Sequence, residues 1–287
     1  MLLQPHTSRF SKLALTELFS QSGRIARRLF RRRRQGDQEQ VTVRRRWRAN
    51  AVETLEVRAL LSTFTVTSTA NDGAGSLRQA IVDANANAGA DEITFAIAGG
   101  GVQTINLNSA LPTITGSVTI DATQSGVSTP VIEINCTDAG LSADGLAISQ
   151  AGSGSVIKGL VINRFTRDGI YLFKNTGDTA GPSNVRIEGN YIGTDVTGNV
   201  DLGNAGCGIE VSQSSASTIV GNVISGNNSA GVLVSSAAGT AGGNIVQGNF
   251  IGTKADRSAA LANYGAGIDL QGATGTIIGG MSIPATK

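Results

Sequence analysis

Apolar and polar residues alternate in a series of short runs from residue 63 onward. A period of two predicts half-buried β-strands, because successive side chains of a strand point to opposite faces. Clusters of Gly, Asn, Asp and Ser separate the runs, and these residues are typical of turns. The pattern therefore predicts an all-β region built from short strands. The first apolar pairs of the runs are Phe64 and Val66, Ile93 and Phe95, Ile105 and Leu107, Val118 and Ile120, Ile132 and Ile134, and Leu146 and Ile148.

One segment, residues 76–88, breaks this alternation. Ser76 and Gln79 stand at the first and fourth positions of a capping box, which marks a helix N-terminus. We predict a single helix here that lies across the N-terminal end of the β-region, where it hides strand edges from other chains. The apolar residues of this segment are spaced by three and four, as on one buried helix face; they are Leu77, Ala80, Ile81, Ala84 and Ala88.

The chain copies itself at a fixed offset. Gly189–Thr194 returns as Gly248–Thr253, and Gly208–Val211 returns as Gly267–Leu270 at the same offset along the chain. Two separate motifs that keep one interval indicate a structural repeat, in which each unit buries its apolar face against its neighbours.

The repeat unit is too long for one coil of a β-solenoid, and weaker copies lie inside it at Gly221–Ile224 and Gly231–Val234. We therefore predict two coils per unit and strands stacked in parallel, a parallel β-helix over residues 63–287 with clear repeats at 156–280. Short strands without intervening helices exclude a doubly wound α/β fold. The segment Thr276–Gly280 resembles the start of a new coil, so we expect further repeats or a partner chain to continue the C-terminal end.

Charge divides the chain near residue 62. Positions 1–61 hold 14 of the 23 Lys and Arg and 5 of the 21 Asp and Glu, which gives +9 there and −7 in the remainder. We interpret residues 1–62 as a basic leader, either disordered or forming one or two short amphipathic helices. An Arg-rich head could contact anionic lipid or nucleic acid, but the acidic remainder leads us to expect no nucleic acid. No apolar run reaches the ~18 residues of a membrane-spanning helix, so we expect no transmembrane segment.

Two short motifs resemble known families. Leu55–Ser62 is similar to the LEPR-XLL segment near the start of many large planctomycete proteins, with Val57 where that motif has proline. The resemblance implies export, and hence a secreted or cell-surface protein. Ser76–Ile81, after a strand, resembles the opening of bacterial surface proteins of the right-handed parallel β-helix, pectin-lyase-like, family. That family includes lyases, hydrolases, epimerases, adhesins and passive spacers, so the resemblance implies the fold over residues 63–280 and leaves the activity open.

Three asparagines follow glycine at matching places in successive coils: Asn190, Asn222 and Asn249. An inward Asn at a bend can bond the turn backbone and its own copies above and below. We predict such an amide ladder, and because the matching earlier position is Leu160, we expect it to begin at Asn190.

Glu210 and Asp269 are the strongest catalytic candidates in the chain. Both sit between inward aliphatic residues and so should point outward on one face, with Leu233 between them and Tyr171 below. Two strand spacings of about 4.8 Å would separate them by roughly 9 to 10 Å, near the upper limit for an inverting glycosidase pair. His6 is the only histidine, so residues 63–287 have no imidazole for acid–base work.

Other chemistry-bearing residues have simpler interpretations. Two insertion loops carry Asp195, Asp201 and Asp256, whose oxygens suit calcium, although a conventional loop explains them as well. Cys136 and Cys207 could form a disulfide or act as free, buried hydrophobes. We interpret a third group, Arg164, Arg167 and Asp168, as a solvated turn.

The sequence therefore favours a secreted or cell-surface β-helix scaffold with a structural, adhesive or polysaccharide-contacting role and no catalysis. Polysaccharide or other cell-envelope components are the expected partners, with calcium as the one candidate cofactor. The alternative is a carbohydrate-active enzyme, a polysaccharide lyase or glycoside hydrolase, acting on an acidic polysaccharide. A single outward Tyr171 and an acidic surface argue against tight binding of polyanions.

Overall fold

A computed structural model describes residues 61–136, 142–236 and 242–279. The chain divides into two units, residues 1–58 and 59–287, and every described residue lies in the second. All of the predicted leader before residue 61, including most of its LEPR-XLL-like segment, lies outside the described residues.

The described chain forms three sheets in which every strand pair is parallel. The chain visits the sheets in turn as it winds about one axis, so each coil adds one strand to each sheet over most of the length. The predicted parallel β-helix is confirmed. Sheet 1 contains Thr63–Val66, Asp91–Phe95, Val118–Asp121, Val156–Lys158, Arg186–Glu188, Thr218–Val220, Ile245–Gln247 and Ile277–Ile278; sheet 2 contains Gln103–Asn106, Ile132–Asn135, Leu160–Asn163, Tyr191–Ile192, Val223–Ile224 and Phe250–Ile251; sheet 3 contains Leu146–Ile148, Ile170–Leu172, Ile209–Ser212, Val232–Ser235 and Ile268–Gln271.

The register explains the length of the repeat. In sheet 1, Ile187 pairs with Ile219, which pairs with Val246. The step from Ile187 to Val246 equals the offset between Gly189 and Gly248, so two coils make one repeat, as predicted. In sheet 2, Ile192 lies in register with Ile224 and, one coil further, with Ile251.

Aliphatic side chains fill the interior of each coil. Along sheet 3, Ile170, Ile209 and Val232 share one inward column and are fully buried. Such columns suit a chain with only 4% aromatic residues, because each coil interior is narrow. In the last described coil the inward positions are open: Leu270 and Ile278 are 41% and 50% exposed.

The helix spans Leu77–Ala86 and closes the N-terminal end of this interior. Its face of Leu77, Ala80, Ile81 and Ala84 is buried, and it contacts the first two strands of sheet 1. The Ser76 hydroxyl accepts the backbone N–H of Gln79 at 3.2 Å, the predicted N-cap.

The other half of the predicted capping box does not form. The Gln79 side chain donates to Asp83 Oδ1 at 2.8 Å instead of reaching back to Ser76. The Ser76 N–H is occupied by the Gly73 carbonyl at 3.2 Å, which explains why Gln79 turns the other way.

The helices of the described residues are all too short or too polar to cross a membrane.

Candidate functional site

Asn190, Asn222 and Asn249 lie in one column at the bend between sheets 1 and 2. Asn222 Oδ1 accepts two hydrogen bonds from Asn190, one from its backbone N–H at 2.9 Å and one from its side-chain Nδ2 at 3.0 Å. Asn222 Nδ2 in turn donates to Asn249 Oδ1 at 2.9 Å. Asn190 Oδ1 accepts the Leu160 N–H at 3.0 Å, so Leu160 occupies the matching position in the preceding coil. The three amides thus satisfy buried backbone groups of successive turns, which is a structural role.

A second amide column, which was not predicted from the sequence, occupies the bend between sheets 2 and 3. Asn204 Nδ2 donates to Asn227 Oδ1 at 2.9 Å, and Asn227 Nδ2 donates to Asn263 Oδ1 at 2.9 Å. All three residues are buried. Asn204 and Asn263 are separated by the same offset as Gly189 and Gly248, so the repeat contained the signal.

The aspartates of the insertion loops cap the turns of their own loops. Asp195 Oδ1 accepts the N–H groups of Asn199 and Val200, both at 3.0 Å. Asp201 Oδ1 accepts the N–H of Gly203 at 3.0 Å, and Asp256 Oδ1 accepts that of Ser258 at 2.8 Å. Within the described residues, these carboxylates do not form a group of three side chains that could bind one metal ion. The group that has this geometry consists of Asp168, Cys207 and Glu210.

The register of sheet 3 places Glu210 and Asp269 in one outward column. Glu210 pairs with Tyr171 on one side and with Leu233 on the other, and Leu233 pairs with Asp269. The two carboxylates are therefore two strands apart, roughly 9 to 10 Å at the usual spacing of parallel strands. Asp168 lies nearer to Glu210 than Asp269 does, with carboxylate oxygens within 4.8 Å of each other.

Asp168 is buried, so the interpretation of residues 164–168 as a solvated turn is wrong for this residue. Arg164 and Arg167 are exposed, whereas Asp168 is 5% exposed. Its Oδ1 accepts the Cys207 N–H at 2.6 Å, and its carboxylate accepts a hydrogen bond from the Glu210 carboxyl group. The parallel pairing of Ile170 with Ile209 brings Asp168 beside Cys207 in the adjacent coil.

Asp168, Cys207 and Glu210 form what we call the acid–thiol cluster. One ligand atom of each side chain, two carboxylate oxygens and the Cys207 sulfur, lie within 4.8 Å of one another. Cys207 is 4% exposed and Glu210 is partly exposed, so the cluster opens to solvent on the Glu210 side. Both cysteines are buried and neither is in a disulfide, which agrees with the interpretation without one.

Burial and mutual repulsion set the protonation of the cluster. Burial, the Asp168 charge and the hydrogen bond donated to Asp168 raise the pKa of Glu210 from 4.5 to about 7. Burial also raises the pKa of Asp168 and of the Cys207 thiol. With a pKa of about 7, the Glu210 carboxyl group is about half protonated at neutral pH.

Tyr171 forms the centre of an aromatic patch beside the cluster. Its ring stacks on Phe173 with centroids 5.0 Å apart and planes at 15°. The Arg167 guanidinium lies 5.5 Å from the centroid of the Tyr171 ring, and its Nε is 3.6 Å from Asp144 Oδ1. We call Arg167, Tyr171 and Phe173 the aromatic patch.

A match to a family model agrees with the fold. The model of the right-handed beta helix region family matches residues 97–280, and the chain belongs to this family of right-handed parallel β-helices. Among solved structures, the A-module of a mannuronan C-5 epimerase from Azotobacter vinelandii is similar at 14% identity and a TM-score of 0.36, over 65% of this chain and 56% of that module. No curated protein matches the chain.

Proposed function

We propose that the protein is a secreted or cell-surface β-helix scaffold that contacts a polysaccharide on the outer face of sheet 3. The aromatic patch is the observation that carries this proposal. Tyrosine and phenylalanine rings offer apolar faces for stacking, and the Tyr171 hydroxyl and Arg167 add polar groups that can bind sugar hydroxyls or carboxylates. The LEPR-XLL-like segment supports the proposed export.

The backbone beneath the patch suits a rigid binding platform. Strand Ile170–Leu172 is paired on both sides in sheet 3, and Ile170 and Leu172 anchor it in the core. Because the supporting side chains are fixed by packing, Tyr171 keeps its position without a large loss of conformational entropy on binding.

Tyr171→Ala is expected to weaken polysaccharide binding at least about tenfold, because it removes the central ring of the patch. The measurement is affinity electrophoresis or calorimetry against a panel of neutral and acidic polysaccharides, with and without calcium. Tyr264→Ala is the matched control, since Tyr264 is 91% exposed and lies outside the patch. Equal losses in both variants, or no binding to any polysaccharide, would contradict the proposal.

An enzyme acting on acidic polysaccharide is the second candidate, favoured by one further observation. Arg167 lies over Tyr171, and Glu210 pairs with Tyr171 across the sheet, so a guanidinium, a phenol and a carboxyl group share one solvent-facing area. A guanidinium can hold a sugar carboxylate, and the other two groups can transfer protons.

Glu210→Gln is expected to reduce any such activity by at least about 100-fold. The assay follows ultraviolet absorbance from unsaturated product for a lyase, and release of reducing ends for a hydrolase, on polygalacturonate with calcium. Glu188→Gln, on sheet 1, is the control. An equal loss of activity in Asp269→Asn would support the inverting pair predicted from the sequence. If the unmodified protein formed no product, the enzymatic proposal would fail and only the binding proposal would remain.

A further inference from the structure

We propose that the acid–thiol cluster is a binding site for a divalent metal ion that accepts both sulfur and oxygen ligands, with Zn²⁺ as the best fit. Asp168, Cys207 and Glu210 each supply one ligand atom, and these atoms already lie within 4.8 Å of one another. Ligands of a tetrahedral zinc ion are about 3.5 to 4 Å apart, given bonds of ~2.1 Å to oxygen and ~2.3 Å to sulfur. A small inward movement of the partly exposed Glu210 would close the site.

The convergence of two kinds of donor separates this cluster from an ordinary acidic patch. Asp168 and Cys207 are more than nine-tenths buried, and they come from different coils that the register of sheet 3 holds together. The Asp168 carboxylate is further fixed by the Cys207 N–H at 2.6 Å. Two of the three ligands are therefore positioned by the fold itself, which lowers the cost of organising a metal site.

The two carboxyl groups of the cluster lie close enough together for one cation to contact both. A cation between two neighbouring carboxylates offsets their mutual repulsion. Arg167 interacts with both Glu210 and Asp168, but its Nε is directed to Asp144 and its guanidinium lies over Tyr171. A bound metal ion would coordinate both carboxylates and would displace the proton of the Cys207 thiol.

The ligand set decides which metal fits. Ca²⁺ and Mg²⁺ take oxygen ligands, whereas Zn²⁺ binds thiolate and carboxylate together. Three protein ligands leave a fourth position for water, on the side where Glu210 meets solvent. The Cys207 thiol lies 3.5 Å from Ser229 Oγ, so Ser229 would orient the ligating sulfur without contacting the metal itself.

The test is metal titration of the purified full chain after treatment with a chelator. Co²⁺ is expected to bind one equivalent at this site and to give a sulfur-to-cobalt charge-transfer band in the near ultraviolet, and Zn²⁺ is expected to displace it. Cys207→Ser should abolish the band and lower the Zn²⁺ affinity at least about tenfold. Cys136→Ser is the matched control, because Cys136 is the other buried cysteine outside any disulfide, and its substitution should leave the band and the Zn²⁺ affinity unchanged.

Glu210→Gln provides a second variant at a partly exposed position, in case the cysteine variant fails to fold. It should keep the charge-transfer band but weaken Co²⁺ and Zn²⁺ binding at least about tenfold, because one anionic ligand is lost. No band with the unmodified chain, a band that survives Cys207→Ser in folded protein, or equal loss in Cys136→Ser would overturn the proposal.

Discussion

Replacing Asn222 with alanine is expected to lower the free energy of unfolding by about 3 to 5 kcal/mol. The Asn222 side chain is fully buried and is the middle rung of its ladder. Its loss leaves the Asn190 N–H and the Ile187 carbonyl, which it now bonds at 2.9 Å each, without these partners. A buried unsatisfied backbone group costs about 1 to 3 kcal/mol, and the cavity left by the side chain adds to this.

Chemical denaturation, monitored by circular dichroism, measures this difference in the free energy of unfolding. Asn228→Ala is the control. Asn228 lies a few residues further along the same coil but is exposed, so its substitution should change stability by less than about 0.5 kcal/mol. Asn222→Asp keeps the size of the side chain but replaces the donor with an acceptor that faces the Ile187 carbonyl, so we expect it to destabilise as well. If Asn222→Ala and Asn228→Ala behaved alike, the ladder would contribute nothing to stability.

The two ladders show what the sequence could and could not predict. Asn190, Asn222 and Asn249 follow glycine in near-identical segments, so their common column was readable from the repeat alone. Asn227 lies in the shorter intervening coil, where the surrounding residues differ from those of Asn204 and Asn263. The repeat offset relates Asn204 to Asn263, but the hydrogen bonds were needed to place Asn227 between them.

The acid–thiol cluster could not be predicted from the sequence for a related reason. In sheet 3, Ile170 pairs with Ile209, and Ile209 pairs with Val232, although the first step along the chain is much longer than the second. Loop lengths set these intervals, and they vary from coil to coil. Which residue lies beside Asp168 therefore depends on a register that no single repeat length predicts.

A column of glycines beside sheet 3 explains why the Gly-Ile-Glu-Val motif begins with glycine. A Cβ atom added at Gly208 would lie 2.5 Å from Ile224 Cγ2 and 2.7 Å from the Gly231 carbonyl oxygen of the next coil. Contacts this short are sterically forbidden and have nothing to do with backbone torsion, because Gly208 is not among the glycines with positive φ. Tight stacking of one coil on the next is what requires glycine. The column consists of Gly145, Gly169, Gly208, Gly231 and Gly267.

Gly208→Ala is therefore expected to destabilise the protein by about 3 kcal/mol or more, since one clashing atom belongs to the backbone and cannot turn away. Gly267→Ala is a control in the same column, because its added Cβ would approach Ile251 Cγ2 at an ordinary 3.5 Å. We expect that variant to change the free energy of unfolding by less than about 1 kcal/mol, with a small gain from the reduced entropy of the unfolded chain. Denaturation of both variants under the same conditions measures the difference. Equal destabilisation would mean that coil-to-coil contact is not what selects glycine at this position.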